Sequence, residues 1–187
     1  MTIEPPLYRE IIDFWRDAGP SKWFAKDDSF DAELRDRFEL AHFAAARGEL
    51  ADWEQTAEGA LALLLLTDQV PRNIFRGSAH AYATDPMARR VADRALTRDL
   101  HLKVAPELRI FFYLPFEHSE DLADQDCAVV LFTTHAEQTG DADSLKWARL
   151  HREIIERFGR FPHRNKALGR ESTDEELRFL TEGGFAG

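Results

Sequence analysis

Thr56-Ala57-Glu58-Gly59-Ala60-Leu61-Ala62-Leu63-Leu64-Leu65-Leu66-Thr67-Asp68-Gln69-Val70-Pro71-Arg72-Asn73-Ile74-Phe75-Arg76-Gly77 is the stretch on which the fold turns. Its first part reads as a helix from Thr56 to Val70. From Ala60 to Leu66 every position is apolar, so this helix has no face for solvent and must be enclosed by others. The apolar run from Gly59 stops at Thr67 and Asp68, far short of the ~20 residues that span a bilayer. Pro71 has no N–H to donate and is expected to end the regular hydrogen bonding there. The second part then crowds Asp68, Gln69, Arg72, Asn73 and Arg76 into less than three turns, which packing alone does not require.

Amphipathic helices should flank this central one. Pro5-Pro6 suits a first helical turn, and Leu7, Ile11, Phe14, Trp15 and Ala18 follow at helical spacing until Gly19-Pro20. Trp23 and Phe24 are expected to cover a core edge. Asp28 or Ser29 can cap a helix whose inner stripe is Phe30, Leu34, Phe38, Ala41 and Ala45, ending at Gly48. Asp85-Pro86 reads as a capping carboxylate followed by proline, with Ala88, Val91, Ala92 and Ala95 inside.

Ala105-Pro106 opens a helix with Leu108, Ile110, Phe111, Phe112 and Leu114, which Pro115 should kink or end. Ser119 can cap the next, with Leu122, Val129, Leu131 and Phe132 inward, up to Gly140. Asp143 can cap a helix carrying Trp147, Leu150, His151, Ile154, Ile155 and Phe158, stopped by Gly159. Ser172-Thr173-Asp174-Glu175 begins a short helix with Leu177 and Leu180. The expectation is an all-α protein of about eight helices, with short connections favouring antiparallel hairpins. Residues 1–187 read as a single helical domain, since no linker interrupts the pattern.

Composition narrows the function classes. Apolar residues make up 44% and charged residues 31% of 187 residues, which places the chain among globular proteins. A formal net charge of -10 argues against a general nucleic-acid surface, which needs an excess of Lys and Arg. Cys127 is the one cysteine, so no intrachain disulfide forms and a reducing, cytoplasmic location is expected. Met1 to Pro6 shows no basic region followed by an apolar run, so neither a secretory signal nor a membrane association is expected.

Three segments carry polar groups beside proline and aromatic rings, a combination suited to a preorganised pocket. The first is Asp68 to Gly77. Asp68 and Arg72, and Arg72 and Arg76, are four apart and share a helical face. They make either a buried ion pair or an anion clamp, since guanidinium binds carboxylate or phosphate through two parallel bonds.

The second segment is Phe112 to Glu120, in which His118 is a candidate general acid/base with Glu117 or Glu120 orienting it. Glu117, His118 and Glu120 match no zinc spacing even with His151 or His163 added, and the adjacent Glu117 and His118 point apart on a helix. No metal and no cofactor are therefore expected. The third segment is Arg157 to Asn165, whose Arg160, His163, Arg164 and Asn165 would either close over an anionic ligand or bond to helix ends. His151, on an apolar helix face, reads as a ligand contact or as a satisfied core histidine.

These strings carry a family resemblance. Trp23-Phe24 with Phe30-Asp31, Ala62-Leu63 with Asp68 through Gly77, Phe111 through Glu120, and His151 with Arg157 through Asn165 and Gly169-Arg170 resemble the bacterial domain-of-unknown-function family number 924. The likeness runs from about Ile11 to Leu180. Val70 stands where that pattern has phenylalanine, an apolar exchange. The resemblance implies a fold like that of tetratricopeptide-repeat proteins without their repeat consensus, and it implies no activity.

Three functions remain open. In the first, Asp68, Gln69, Arg72, Asn73, Arg76, His151, Arg160, Arg164 and Asn165 bind a polar or anionic small molecule. His118, Glu117, Glu120 and His163 then carry hydrolase- or transferase-like proton transfers. In the second, a groove between helices binds a protein or peptide partner. In the third, the motifs are a buried polar network holding unusual helix junctions together.

Overall fold

The structure is a computed structural model and describes residues 7–185. The expected start at Pro5-Pro6 lies outside the described residues. Those residues form an all-α fold without strands. None of their helices is long and apolar enough to cross a membrane. They divide into two compact units. Unit 1 comprises residues up to Arg76 together with His80–Pro115, and unit 2 comprises Gly77–Ala79 with the chain from Phe116 onward.

In unit 1, α1 (Leu7–Ala18) ends where Gly19 takes a φ of 72°, and the short α2 (Pro20–Trp23) follows. Trp23 is buried and its indole N–H donates to the carbonyl of Trp15, whereas Phe24 is exposed rather than covering the core. α3 (Asp28–Ala46) buries the expected stripe and, beyond it, His42. Its cap is Asp27, one residue before the expected pair, because the Asp27 carboxylate reaches the N–H groups of both Ser29 and Phe30.

α4 (Ala57–Leu64) is capped by Thr56 and is buried from Gly59 onward, as its all-round greasiness requires. It packs against α1 and against α6 (Asp85–Thr97), whose inner face is Ala88, Val91, Ala92 and Ala95.

Pro71 does not end this helix, contrary to the expectation. The helix widens over Leu65–Gln69 into a π turn and continues as α5 (Val70–Ile74), which packs on α3. A residue 71 amide would have served the carbonyl of Leu66 in the wide register or of Thr67 in the α register. Proline supplies neither, and a buried carbonyl without a donor is costly.

Side chains take the place of the missing amide. His42 Nδ1 donates to the Leu66 carbonyl at 2.8 Å, and the Thr84 hydroxyl donates to the Thr67 carbonyl at 2.5 Å. The next two carbonyls also accept side-chain protons, Asp68 from Arg72 and Gln69 from Asn73. Thr84 is also the first residue before α6, which displaces Asp85 from the expected cap. Asp85 lies inside the first turn with its carboxylate turned to Arg72. The segment after Ala105 is a tight 3-10 helix (Pro106–Phe112), and Pro115 falls inside the short α7 (Leu114–Glu117).

In unit 2, α8 (Leu122–Thr139) and α9 (Ala142–Phe158) are joined only by Gly140 and Asp141 and pack against each other as a hairpin. Their caps are Asp121 and Asp141, not Ser119 and Asp143. Each carboxylate reaches a helix-starting N–H, of Ala123 and Ser144 respectively. The Ser119 hydroxyl donates to Asp124 instead. Leu122 and Trp147 are exposed, since the buried stripes run through Gln125, Ala128, Phe132 and His135 on α8 and Ala148, His151, Ile154 and Ile155 on α9. α10 (Asp174–Thr181) starts within the expected stretch Ser172 to Glu175, but its capping box is made by Thr173 and Glu176, one residue later, and it buries Glu176 and leaves Leu177 exposed.

Replacing Thr84 by valine keeps the shape and removes the proton donated to Thr67. Thr84→Val should lower unfolding free energy by about 1–3 kcal/mol in a urea titration, while Thr84→Ser keeps most of it. Equal midpoints for wild type and Thr84→Val would show that the Thr67 carbonyl is served in another way.

Candidate functional site

The five site residues predicted in the first segment all lie in unit 1, and all are occupied by partners there. Arg72 makes two parallel bonds to Asp85, at 2.8 and 2.9 Å, and approaches Asp68 at 3.1 Å. Burial opposes its charge, but Asp68 and Asp85 outweigh burial and hold its pKa above the ordinary arginine value. Gln69 donates to the second oxygen of Asp68 at 2.6 Å. Arg76 does not join Arg72. It grips Asp31 at 2.6 and 3.1 Å and donates to the Asn73 side-chain oxygen at 2.6 Å. The predicted Asp68–Arg72 pair forms, and the fork geometry expected for an anion clamp is directed at carboxylates of the chain itself.

The other eight predicted residues lie in unit 2, where the second and third segments meet around Phe161. This ring is fully buried. Its N–H donates to Glu120 at 2.8 Å, and its carbonyl accepts from Arg170 at 3.2 Å. Arg170 also holds both oxygens of Glu120, at 2.7 and 3.0 Å, and donates to Asn165. Burial alone would raise the Glu120 pKa. The bonds from Arg170 and from the Phe161 N–H, with the charge of Arg164 beside them, bring it below the ordinary carboxylate value.

Arg160 makes two bonds to Glu176, at 2.6 and 2.8 Å, and Asn165 donates to the same carboxylate. Glu176 also accepts the Thr173 N–H at 2.7 Å. The Arg160 bonds dominate the lowering of the Glu176 pKa to about 2, with Thr173 and Asn165 adding to it.

A second layer surrounds the same ring. Arg164 is buried, with its guanidinium 4.4 Å from the centre of Phe161. The His151 ring lies 5.4 Å and the His163 ring 5.6 Å from it. His151 is buried on α9, and its Nδ1 faces two acceptors, the Trp147 carbonyl at 2.9 Å and Glu117 Oε1 at 3.1 Å. Both partners are oxygens, so Nδ1 carries the proton and, in the neutral ring, Nε2 carries the lone pair. Glu117, also buried, thus lies against His151.

His118 is half-buried just beyond α7. Gln125 fixes this junction by donating to the carbonyls of Glu117 and Ser119, both at 2.6 Å. Among the described residues no three of His, Cys, Asp and Glu are placed to hold a metal ion together. An open hollow in unit 2, lined by Arg157, Glu175, Arg178 and Phe179, contains none of the predicted site residues.

Sequence reasoning missed Asp85, Asp31, Arg170, Glu176, Gln125 and His42 as partners of the motifs. Arg170 appeared in the family strings, but nothing local links it to a glutamate 50 positions earlier.

Arg72→Met strands two carboxylates and should destabilise the protein by about 3–5 kcal/mol, with part of the loss recovered on adding Asp85→Asn. Chemical denaturation of the two variants measures this. Glu176 has a folded-state pKa below its ordinary 4.5, so its contribution is complete above that pH and is lost as pH falls toward about 2. The stability gap between wild type and Glu176→Gln should therefore close across this window, and a gap independent of pH would remove the ion pair as its source.

Comparison with known proteins places these residues in a wider group. The family described as "Bacterial protein of unknown function (DUF924)" matches residues 11–184. A solved protein of unknown function from Agrobacterium tumefaciens is similar to this chain at 55% identity, covering 95% of this chain and 98% of its own, with a TM-score of 0.89. Comparison with curated proteins gives no match.

Proposed function

This chain belongs to the bacterial family of unknown function matched over residues 11–184, and we propose its role from its own residues: a polar, anionic small molecule binds at the Phe161 cluster of unit 2, where His151 transfers a proton. The observation that carries this reading is the buried contact of 3.1 Å between Glu117 Oε1 and His151 Nδ1. A carboxylate on Nδ1 fixes the tautomer, directs Nε2 as the base and stabilises the imidazolium that forms when it accepts a proton. Arg164, stacked on Phe161, supplies the positive charge that an anion requires, and His163 beside it a ring nitrogen for a hydrogen bond. Glu120, Arg160, Asn165 and Arg170 then act as the frame that holds the loop. Hydrolysis or group transfer on a phosphate- or carboxylate-bearing substrate, in the cytoplasm, is the reaction class this donor set suits.

The five polar residues of the first segment have a different role in this reading. Arg72 lies between two carboxylates, which favours a structural lock around the π turn over a ligand contact.

Thermal unfolding in the presence of inorganic phosphate, phosphate monoesters and dicarboxylates tests the proposal. At least one of these probes should raise the melting temperature of wild type. That shift should be lost in Arg164→Ala, shown to be folded by circular dichroism, and retained in His151→Gln. If wild type responds to none of these probes, or Arg164→Ala responds as wild type does, the site is not an anion site.

A further inference from the structure

The segment after α10 lies on the same cluster of unit 2. Gly183 takes a φ of 89°, and the Gly184 N–H donates to the Phe179 carbonyl at 2.9 Å, so the helix closes in the left-handed turn that glycine permits. Gly184 is required for a separate reason. A Cβ there would stand 2.5 Å from the Phe179 carbonyl oxygen and 2.7 Å from its ring. The two glycines turn the chain back so that Phe185 reaches Trp147 and His151 on α9.

The Phe185 ring meets three others. Its centre lies 4.6 Å from that of His151, 5.1 Å from that of His163 and 6.0 Å from that of Trp147, each edge-on or tilted. His151 and His163 also pack on Phe161, so the two histidines contact both phenylalanine rings. Phe185 packs on the apolar group of Ile154, Ile155 and Phe161, yet it is only half-buried, and the chain just before it, from Thr181 to Gly183, is exposed.

We propose that the ligand of the Phe161 cluster carries an aromatic ring, and that Phe185 occupies the place of this ring in the free protein. The charge of the ligand rests on the anion reading above, and with it the ligand is an aryl phosphate or aryl carboxylate. Rings that meet edge to face favour a flat aromatic group over an aliphatic one of similar size. The walls are held firmly. Trp147 and His151 stand four apart on one face of α9, and the Trp147 carbonyl and Glu117 fix the His151 ring. The occupant is tethered through two glycines, the residues with the widest backbone freedom. An incoming ring reproduces the contacts that Phe185 gives up, and Phe185 swings outward about Gly183 and Gly184. The exchange also uncovers His151, the base of the proposed reaction, only when a ligand of the right shape takes the place of Phe185.

Isothermal titration of the full chain with phenyl phosphate, inorganic phosphate and benzyl alcohol tests this in wild type and Phe185→Ala. An internal competitor lowers apparent affinity by the fraction of protein it leaves open. Its removal should tighten phenyl phosphate and benzyl alcohol roughly tenfold and leave inorganic phosphate unchanged. Circular dichroism checks that Phe185→Ala is folded, and a second measurement uses the unmutated sequence. In protein labelled with 5-fluorotryptophan, phenyl phosphate should move the fluorine resonance of Trp147, assigned with Trp147→Phe, and inorganic phosphate should not. Equal affinity of wild type and Phe185→Ala for phenyl phosphate, an equal gain for inorganic phosphate, or a Trp147 resonance unmoved by phenyl phosphate would each overturn the proposal. A phosphate response that depends on Arg164 would then still support the anion reading. A tenfold gain for benzyl alcohol in Phe185→Ala, with neither phosphate bound, would support the ring subsite and remove the anion reading.

Discussion

A buried helix that receives a proline must find new partners for its carbonyls, and unit 1 is organised around that requirement. Pro71 removes one amide from the most enclosed helix of the chain, and the π turn changes which carbonyl that amide would have served. Four consecutive carbonyls, from Leu66 to Gln69, accept protons from the side chains of His42, Thr84, Arg72 and Asn73. Two of these donors come from other elements, so the turn ties α3 and the start of α6 to the central helix. Arg72 in turn requires Asp85, because a guanidinium in a partly dry site must be neutralised. The acidic residue at the start of α6 is set by the needs of the π turn more than by those of its own helix.

The same logic governs the junctions of unit 2. The chain between α7 and α8 is too irregular for helical bonding, and one glutamine amide collects two of its carbonyls. The loop after α9 hangs on Glu120 and Glu176, each shared between an arginine and a backbone N–H. Removing either glutamate would unpair a cation and an amide together, so these networks are stiff as long as they are complete. That stiffness is what a preorganised site needs beneath it.

The all-α class, the greasy central helix and the helix start near Thr173 were legible in the sequence because each depends on neighbours within a turn or two. The caps were read one to two residues late at Asp28 and Asp143, since several acidic residues compete and only backbone geometry chooses among them. Trp147 and Leu177 looked buried from spacing, but their helices turn a polar stripe inward at His151 and Glu176. The partners of the motifs were hidden for a different reason. Arg76 meets Asp31 at a separation of 45 positions, and no periodicity carries information over that distance. The π turn was equally hidden, because Pro71 is compatible with either a stop or a widening and the choice rests on donors supplied by α3 and Thr84.

The pattern of charge neutralisation shows which arginines serve the scaffold. Arg72, Arg76, Arg160 and Arg170 all point their forks at carboxylates of the chain, so an external anion would have to displace an internal one of the same charge and shape. Such an exchange gains little, because the displaced carboxylate is left partly buried and unpaired. Arg164 is buried with its guanidinium against the face of Phe161 and its charge beside Glu120. His151 faces two acceptors at one ring nitrogen. A carbonyl alone would satisfy its Nδ1, yet a buried carboxylate is held there as well, at the desolvation cost of a group that could have been an amide. A glutamine at position 117 could also accept from Nδ1 and would avoid that cost. In the proposed reading, what the carboxylate adds over an amide is stabilisation of the imidazolium formed when His151 accepts a proton.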